Sequence, residues 1–335
     1  MQKIKKDMWK IKVKHLWLVI LAIITIFSGS IFSVSASTSV YLGGMPAGFT
    51  IQTRGAYVMG IGEILSDNGL VSPAKDAGVE IGDVLLTIDG KEINSAKDVE
   101  KAIENGGDKL VGIRREGESF YKTIKPAKDP LGKYRLGLFL RDTINGIGTI
   151  TYINNNVLAS LGHPVLDERN ELVEVKNGTI CQSCVTGVTL GKRGVPGALH
   201  GTLFHTKNIA TIIKNSVYGV FATVNNKSFL NGLKKVETGS AKIGNATILT
   251  TISGNEPKEY EISIVKADLD DNTNKGLVIK ITDEYLLKQT GGIVQGMSGS
   301  PIIQDGRLVG AVTHVFINDP TRGFGVSIDN MLNNQ

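Results

Sequence analysis

The sequence is poor in proline and cysteine, with 9 and 2 among 335 residues. It also lacks a surplus of either charge once its first fifteen residues are set aside. Lys3, Lys5, Lys6, Lys10, Lys12 and Lys14 against Asp7 account for the whole formal charge of +5. The remainder has nothing left to neutralise a phosphate backbone, which excludes nucleic acid as a partner. Helical periodicity is scarce, no glycine-rich phosphate loop stands before a helix, and the glycines follow no collagen-like period. What is plentiful is glycine, 40 residues or about 12% against a usual ~7%. With so little proline beside it, this suits many turns and short strands better than long helices. At 41% hydrophobic and 21% charged residues the chain is globular and long enough for two domains.

One long apolar run is present. Residues 16–34 are apolar apart from scattered Ser, Thr and Gly, and as a helix they would reach roughly 28 Å, close to a hydrocarbon core of about 30 Å. Lysines before the run and none following it place the N-terminus in the cytoplasm. Val34-Ser35-Ala36 also offers the small residues that a signal peptidase reads. The length of the run favours an uncleaved anchor over a signal, and both readings export the rest of the chain. The expected divisions are a basic cytoplasmic tail at 1–15, an anchor or signal segment at 16–36 and a linker at 37–47.

Cys181 and Cys184, followed by His200 and His205, formally match a two-Cys, two-His zinc spacing. Gly187, Gly191, Gly194, Pro196, Gly197 and Gly201 break the helix that a zinc finger would need. The pair follows Gly178-Thr179-Ile180 and does not open a helix, which argues against a thioredoxin-like motif. A surface thiol pair or a short-loop disulfide remains, and no metal or cofactor is expected.

Residues 48–128 read as a small domain. Ser72-Pro73-Ala74 has turn and short-helix chemistry and leads into the strand Ile81-Gly82-Asp83-Val84-Leu85-Leu86-Thr87-Ile88, closed by an Asp89-Gly90 hairpin turn. A helix follows, capped by Asn94 or Ser95, with Val99, Ala102 and Ile103 on one face, and stops at Asn105-Gly106-Gly107. The order resembles a bacterial PDZ domain. That resemblance implies binding of an extended peptide as an added strand, with Gly48, Phe49 and Ile51 in the carboxylate loop and Val99 and Ile103 beside the apolar slot. From about residue 129 to 335, short apolar runs alternate with glycine turns at 148–153, 208–213, 219–224, 246–252, 259–265 and 276–281. The pattern predicts a mainly β fold built as a barrel or sandwich.

Near the C-terminus, Gly296-Met297-Ser298-Gly299-Ser300-Pro301 precedes an Asp305-Gly306 hairpin and the strand Leu308-Val309-Gly310-Ala311-Val312-Thr313-His314. This resembles the nucleophile segment of chymotrypsin-like serine peptidases, which fold as a double β-barrel. The match implies Ser298 as nucleophile, the N–H groups of Gly296 and Ser298 as the oxyanion hole, and Thr313 and His314 lining the substrate cleft. Ser300 is the nearest rival. A serine hydroxyl needs a base. Of five histidines His15 lies on the tail, His314 follows the nucleophile, and His163 in Gly162-His163-Pro164 stands at a strand end at a suitable distance upstream. Asp283, after the strand Leu277-Val278-Ile279-Lys280-Ile281, is the chosen carboxylate, with Glu284 as alternative. Asp268, Asp270 and Asp271, ahead of Asn272-Thr273-Asn274, read as a solvated loop or a weak cation site, without a full calcium loop.

An anchor, a PDZ domain, Gly162-His163-Pro164 and Gly296-Met297-Ser298-Gly299-Ser300-Pro301, in this order, resemble the SpoIVB serine peptidase family of endospore-forming bacteria, most strongly over 292–330. The resemblance implies His163, Asp283 and Ser298 as the triad. It further implies export to the forespore intermembrane space, self-cleavage, and cleavage of a regulatory subunit of a membrane complex that processes a sigma factor. Cys181 and Cys184 depart from the family pattern, as does Leu42 in Val40-Tyr41-Leu42-Gly43-Gly44, near the expected self-cleavage site. The rival readings are a non-catalytic, membrane-tethered PDZ scaffold and a zinc or thiol-redox protein.

Overall fold

A computed structural model describes residues 37–335 except Asn68 and Glu168. The basic tail and the apolar run at 16–34 lie outside the described residues. Among the described residues no helix is long and apolar enough to cross a membrane.

The chain enters through β1 (Ser39–Leu42) and the long β2 (Pro46–Ile61), then builds a small module. This comprises the short helix α1 (Pro73–Asp76), strand β3 (Val84–Ile88), helix α2 (Ala96–Ile103), and the hairpin β4 (Lys109–Arg115) and β5 (Glu118–Ile124). Local chemistry sets these bounds. The Asp89-Gly90 turn has positive φ at both residues, 49° and 76°, as a tight hairpin requires. The Ser95 side chain accepts from the Asp98 amide and caps α2. Val99 and Ile103 bury one face of α2 against Leu85, Ile88, Val111 and Ile113.

A second long strand, β6 (Leu138–Asn154), returns beside β2 and opens the first barrel with β7 (Val157–Ser160), β8 (Val175–Thr189), β9 (Ala198–Ser216) and β10 (Gly219–Val224). Antiparallel pairing runs β2–β6–β7–β10–β9–β8 and back to β2, so these six strands close a ring. Phe49, Ile51, Ile150, Leu158, Ile180 and Ile212 fill its interior. The second barrel is closed by β11 (Gly244–Thr250), β12 (Lys258–Ala267), β13 (Leu277–Ile281), β14 (Pro301–Gln304), β15 (Arg307–Phe316) and β16 (Asp319–Ser327). Here the period-two pattern of a strand is plain: Ala246 and Ile248, Ile262 and Ile264, and Ile279 and Ile281 all point inward. Helix α3 (Glu284–Thr290) joins β13 to the loop before β14, and α4 (Ile328–Leu332) ends the fold.

The small module is inserted into the first barrel. Residues 46–52 of β2 pair with 143–149 of β6 inside the barrel, whereas residues 57–61 pair with 138–141 in the module. Residues 48–53, expected in the PDZ domain, are therefore barrel residues, because the barrel cannot close without them. Ionic contacts pin the module to the loop at 161–174. Buried Asp83 is held by Arg115 (Nε–Oδ1 2.7 Å, Nη2–Oδ2 2.8 Å), and Arg169 of the loop reaches it at 3.7 Å. Glu174 takes Arg54 and Arg114, each at 3.0 Å.

Removing one partner of a buried pair leaves an uncompensated charge. Arg115→Met is expected to destabilise the protein by about 3–5 kcal/mol in urea unfolding. A loss below about 1 kcal/mol would show that Arg169 alone suffices for Asp83.

Candidate active site

The cleft between the barrels has a volume of about 470 Å³ and contains Ser298, His163, Thr313 and His314. The nucleophile loop is reached through α3, which Asp283 caps by accepting from the Leu286 amide at 2.8 Å. Gly291 in the left-handed region ends that helix. Gly296 (φ 97°) and Gly299 (φ 91°) then bend the loop. A side chain at Gly299 would strike the Thr149 carbonyl and the Leu161 amide, so the tight approach to the first barrel requires glycine.

Most amides of this loop are spent. Met297 donates to Val294 O (3.1 Å), Gly299 to Val312 O (2.8 Å) and Ser300 to Met297 O (3.0 Å). Gly296 and Ser298 donate to no group among the described residues, and both residues are half-buried rather than sealed. Two free N–H groups on either side of one residue are what a developing oxyanion needs. The Ser298 hydroxyl donates to the Thr313 carbonyl at 2.8 Å. Ser300 is fully buried; its hydroxyl donates to Met297 O at 2.6 Å and lies 2.9 Å from Thr250 Oγ1. That packing sets Ser300 aside as a nucleophile.

The His163 Nδ1 lies 2.8 Å from the Pro164 carbonyl. A carbonyl can only accept, so the proton sits on Nδ1 and Nε2 keeps its lone pair. Burial pushes the imidazole below its ordinary value, opposed by the bond to Pro164. The His314 ring stands 4.8 Å from that of His163, centroid to centroid, with the planes 39° apart. Burial, then the neighbouring His163 and Lys275, brings His314 down to about 4. Both rings are thus neutral near pH 7, the state a general base requires.

A family model for SpoIVB peptidase S55 matches residues 132–332, and one for a PDZ domain matches 71–115. The chain belongs to the SpoIVB peptidase S55 family. Among curated relatives, the serine protease HTRA1 of Xenopus laevis is 35% identical over 78 residues, 23% of this chain and 16% of that protein. This chain therefore spans about a sixth of that relative's length. Among solved structures, the active form of the Rv3671c protease from M. tuberculosis aligns at 17% identity and TM-score 0.36 over 57% of this chain and 72% of its own. The PDZ domain of an SdrC-like protein from Listeria monocytogenes aligns at 24% identity and TM-score 0.22, over 28% and 93%. The S55 peptidase is mainly β and carries a PDZ domain beside its peptidase domain.

Three sequence expectations for the S55 peptidase need correction. Asp283 is not brought to His163: its carboxylate caps α3 and accepts from Glu261 N–H at 3.4 Å. Among the described residues no hydrogen bond or ion pair joins the two, and the group that orients the imidazole is the Pro164 carbonyl. Gly48, Phe49 and Ile51 form no PDZ carboxylate loop, because β2 is paired there on both sides, with β6 and β8. Phe49 and Ile51 line the peptidase cleft instead. Val99 and Ile103 do line a groove, of about 210 Å³, whose opposite wall is Leu136, Gly137, Leu138 and Leu140. The missed signal was a glycine between two leucines ahead of a strand, Gly137 having φ 76°. The third concerns the thiols. Cys181 and Cys184 are free on β8, and Cys181 is buried, with its thiol pushed up by burial, so they are not a surface pair.

Two outcomes follow from this geometry. Because burial disfavours the imidazolium, the base stays available to lower pH. The acid limb of kcat/KM should fall below the ordinary 6.5, and a midpoint above it would contradict a buried neutral base. Asparagine caps a helix about as well as aspartate, so Asp283→Asn should retain activity within about tenfold. A carboxylate that held the imidazole would lose about 10⁴ in kcat on the same change.

Proposed function

We propose that this S55 peptidase is an exported signalling protease of sporulation, with Ser298 as nucleophile and His163 as base. It would cut itself and a regulatory subunit of a membrane complex that processes a sigma factor. The observation that carries the catalytic reading is one cleft holding an accessible serine, a neutral imidazole with its Nε2 lone pair available, and two amides without acceptors among the described residues. Export is supported by the basic tail and apolar run of the sequence, and the sporulation role by membership of the family.

In the proposed reaction the Ser298 hydroxyl turns from the Thr313 carbonyl to His163 Nε2 and gives up its proton as Oγ attacks the peptide carbonyl. The Gly296 and Ser298 N–H groups hold the oxyanion. His163 then returns the proton to the leaving amine, and water repeats the sequence on the acyl-enzyme. Leaving the Thr313 carbonyl frees it to accept from the substrate backbone. The cleft walls are Phe49, Ile51, Ile144 and Ile147 on one side and Ile293, Val294, Val315 and Ile317 on the other. None carries a charge, so the fitting substrate is an extended segment with apolar side chains at the cut.

Self-cleavage in this reading falls ahead of residue 39. β1 is paired on both sides, with β6 and with residues 235–237, and Val40 and Leu42 are buried. Mass analysis of the full-length chain over time should show a fragment starting before Ser39 in the wild type and none in Ser298→Ala. Equal truncation in both proteins would contradict the nucleophile assignment.

A further inference from the structure

β6 carries two buried threonine hydroxyls that the reaction above does not use. Thr149 is 2% exposed and Thr151 is 0% exposed, and both point at the nucleophile loop. Thr149 Oγ1 donates to the Gly296 carbonyl at 2.9 Å and its N–H donates to the Ser298 carbonyl at 2.9 Å. Thr151 Oγ1 donates to the Gly299 carbonyl at 2.7 Å. Ser160 Oγ in turn donates to the Thr149 carbonyl, so the latch is itself held by the next strand of the barrel.

The order of peptide planes gives these bonds their meaning. The Ser298 N–H belongs to the plane between Met297 and Ser298. The plane before it carries the Gly296 carbonyl, and the plane after it carries the Ser298 carbonyl. One residue, Thr149, grips both, through its side chain and its backbone. The loop needs such a grip because Gly296 can rotate freely where another residue could not. The two carbonyls are bonded to the first barrel, and the plane held between them carries the Ser298 N–H, which meets no acceptor among the described residues at the edge of the cleft.

We propose that Thr149 is a positioning residue for the oxyanion hole, acting through the Gly296 carbonyl, with Thr151 supporting it one plane further on. The first barrel thereby supplies the donor geometry as well as the base. A purely structural role would be satisfied by any side chain that fills the space. A positioning role requires the hydroxyl, and its loss is felt in the tetrahedral transition state more than in substrate binding. This inference rests on Ser298 being the nucleophile.

The test uses the full-length chain, a fluorogenic peptide with an aliphatic residue before the scissile bond, and the matching peptide boronic acid, which adds to a serine as a tetrahedral adduct. Thr149→Val is expected to lower kcat about 10- to 100-fold, short of or equal to the loss of one whole donor, with KM within about twofold. Boronate affinity should fall in the same proportion as kcat. Thr149→Ser, which restores the hydroxyl, should return both to within about threefold of wild type. Wild-type kcat in Thr149→Val, or an equal loss in Thr149→Ser, would overturn the proposal. If Thr149→Val does not fold, Thr149→Ala against Thr149→Ser makes the same comparison of hydroxyl absent and present. Equal inertness of wild type and Ser298→Ala would instead overturn the nucleophile reading, and the latch with it.

Discussion

Two amide hydrogens, on Gly296 and Ser298, stand at the edge of the cleft with no acceptor among the described residues. An unpaired N–H is costly in a packed interior, so the surrounding loop must be over-determined for the arrangement to persist. That demand accounts for much of the architecture. Gln295 is held by an exchange with the long hairpin of the first barrel, its N–H donating to Gly197 O at 2.9 Å and its carbonyl accepting from Leu199 at 2.8 Å. Met297 is fully buried, and Ser300 gives up its hydroxyl to the loop's own backbone. α3, capped by Asp283 at one end and by Gly291 at the other, delivers the chain to the loop at a fixed point. The candidate site of this S55 peptidase is a backbone construction before it is a set of side chains.

β6 shows how the parts are joined. Its first residues wall the PDZ groove opposite α2, its middle closes the first barrel against β2, and its later threonines meet the nucleophile loop. The loop that carries His163 is tied to the same PDZ module through Arg169 and Glu174. The PDZ module therefore connects to both halves of the candidate site through continuous backbone and ion pairs. An inserted domain whose entry and exit strands are shared with the barrel cannot swing as a bead on a linker would.

Much of this was legible in the sequence, for identifiable reasons. Local rules hold where chemistry is local: the Asp89-Gly90 turn, the Ser95 cap, and the strand at 219–224 follow from neighbours in the chain. Ser298 and His163 share a cleft because motif glycines and a strand-end histidine are also local signals. What was not legible depended on pairing at long range. Nothing in Gly48-Phe49-Thr50-Ile51 says that β8, more than a hundred residues away, closes over it. Asp283 reads equally well as a triad member and as a helix cap, and only the position of α3 separates the two. Thr149 looked like one more residue of an apolar strand, because its partners lie on the far side of the fold.

In the proposed reaction the bond-making chemistry falls on Ser298. The most direct measurement treats the full-length chain with a phosphonofluoridate, which bonds to an activated serine oxygen with loss of fluoride, and maps the modified residue by mass. One adduct is expected, on the peptide containing Ser298 and absent from Ser298→Ala, with the neighbouring Ser300 unmodified. An adduct on Ser300 or elsewhere, or a wild type that reacts no faster than Ser298→Ala, would contradict it.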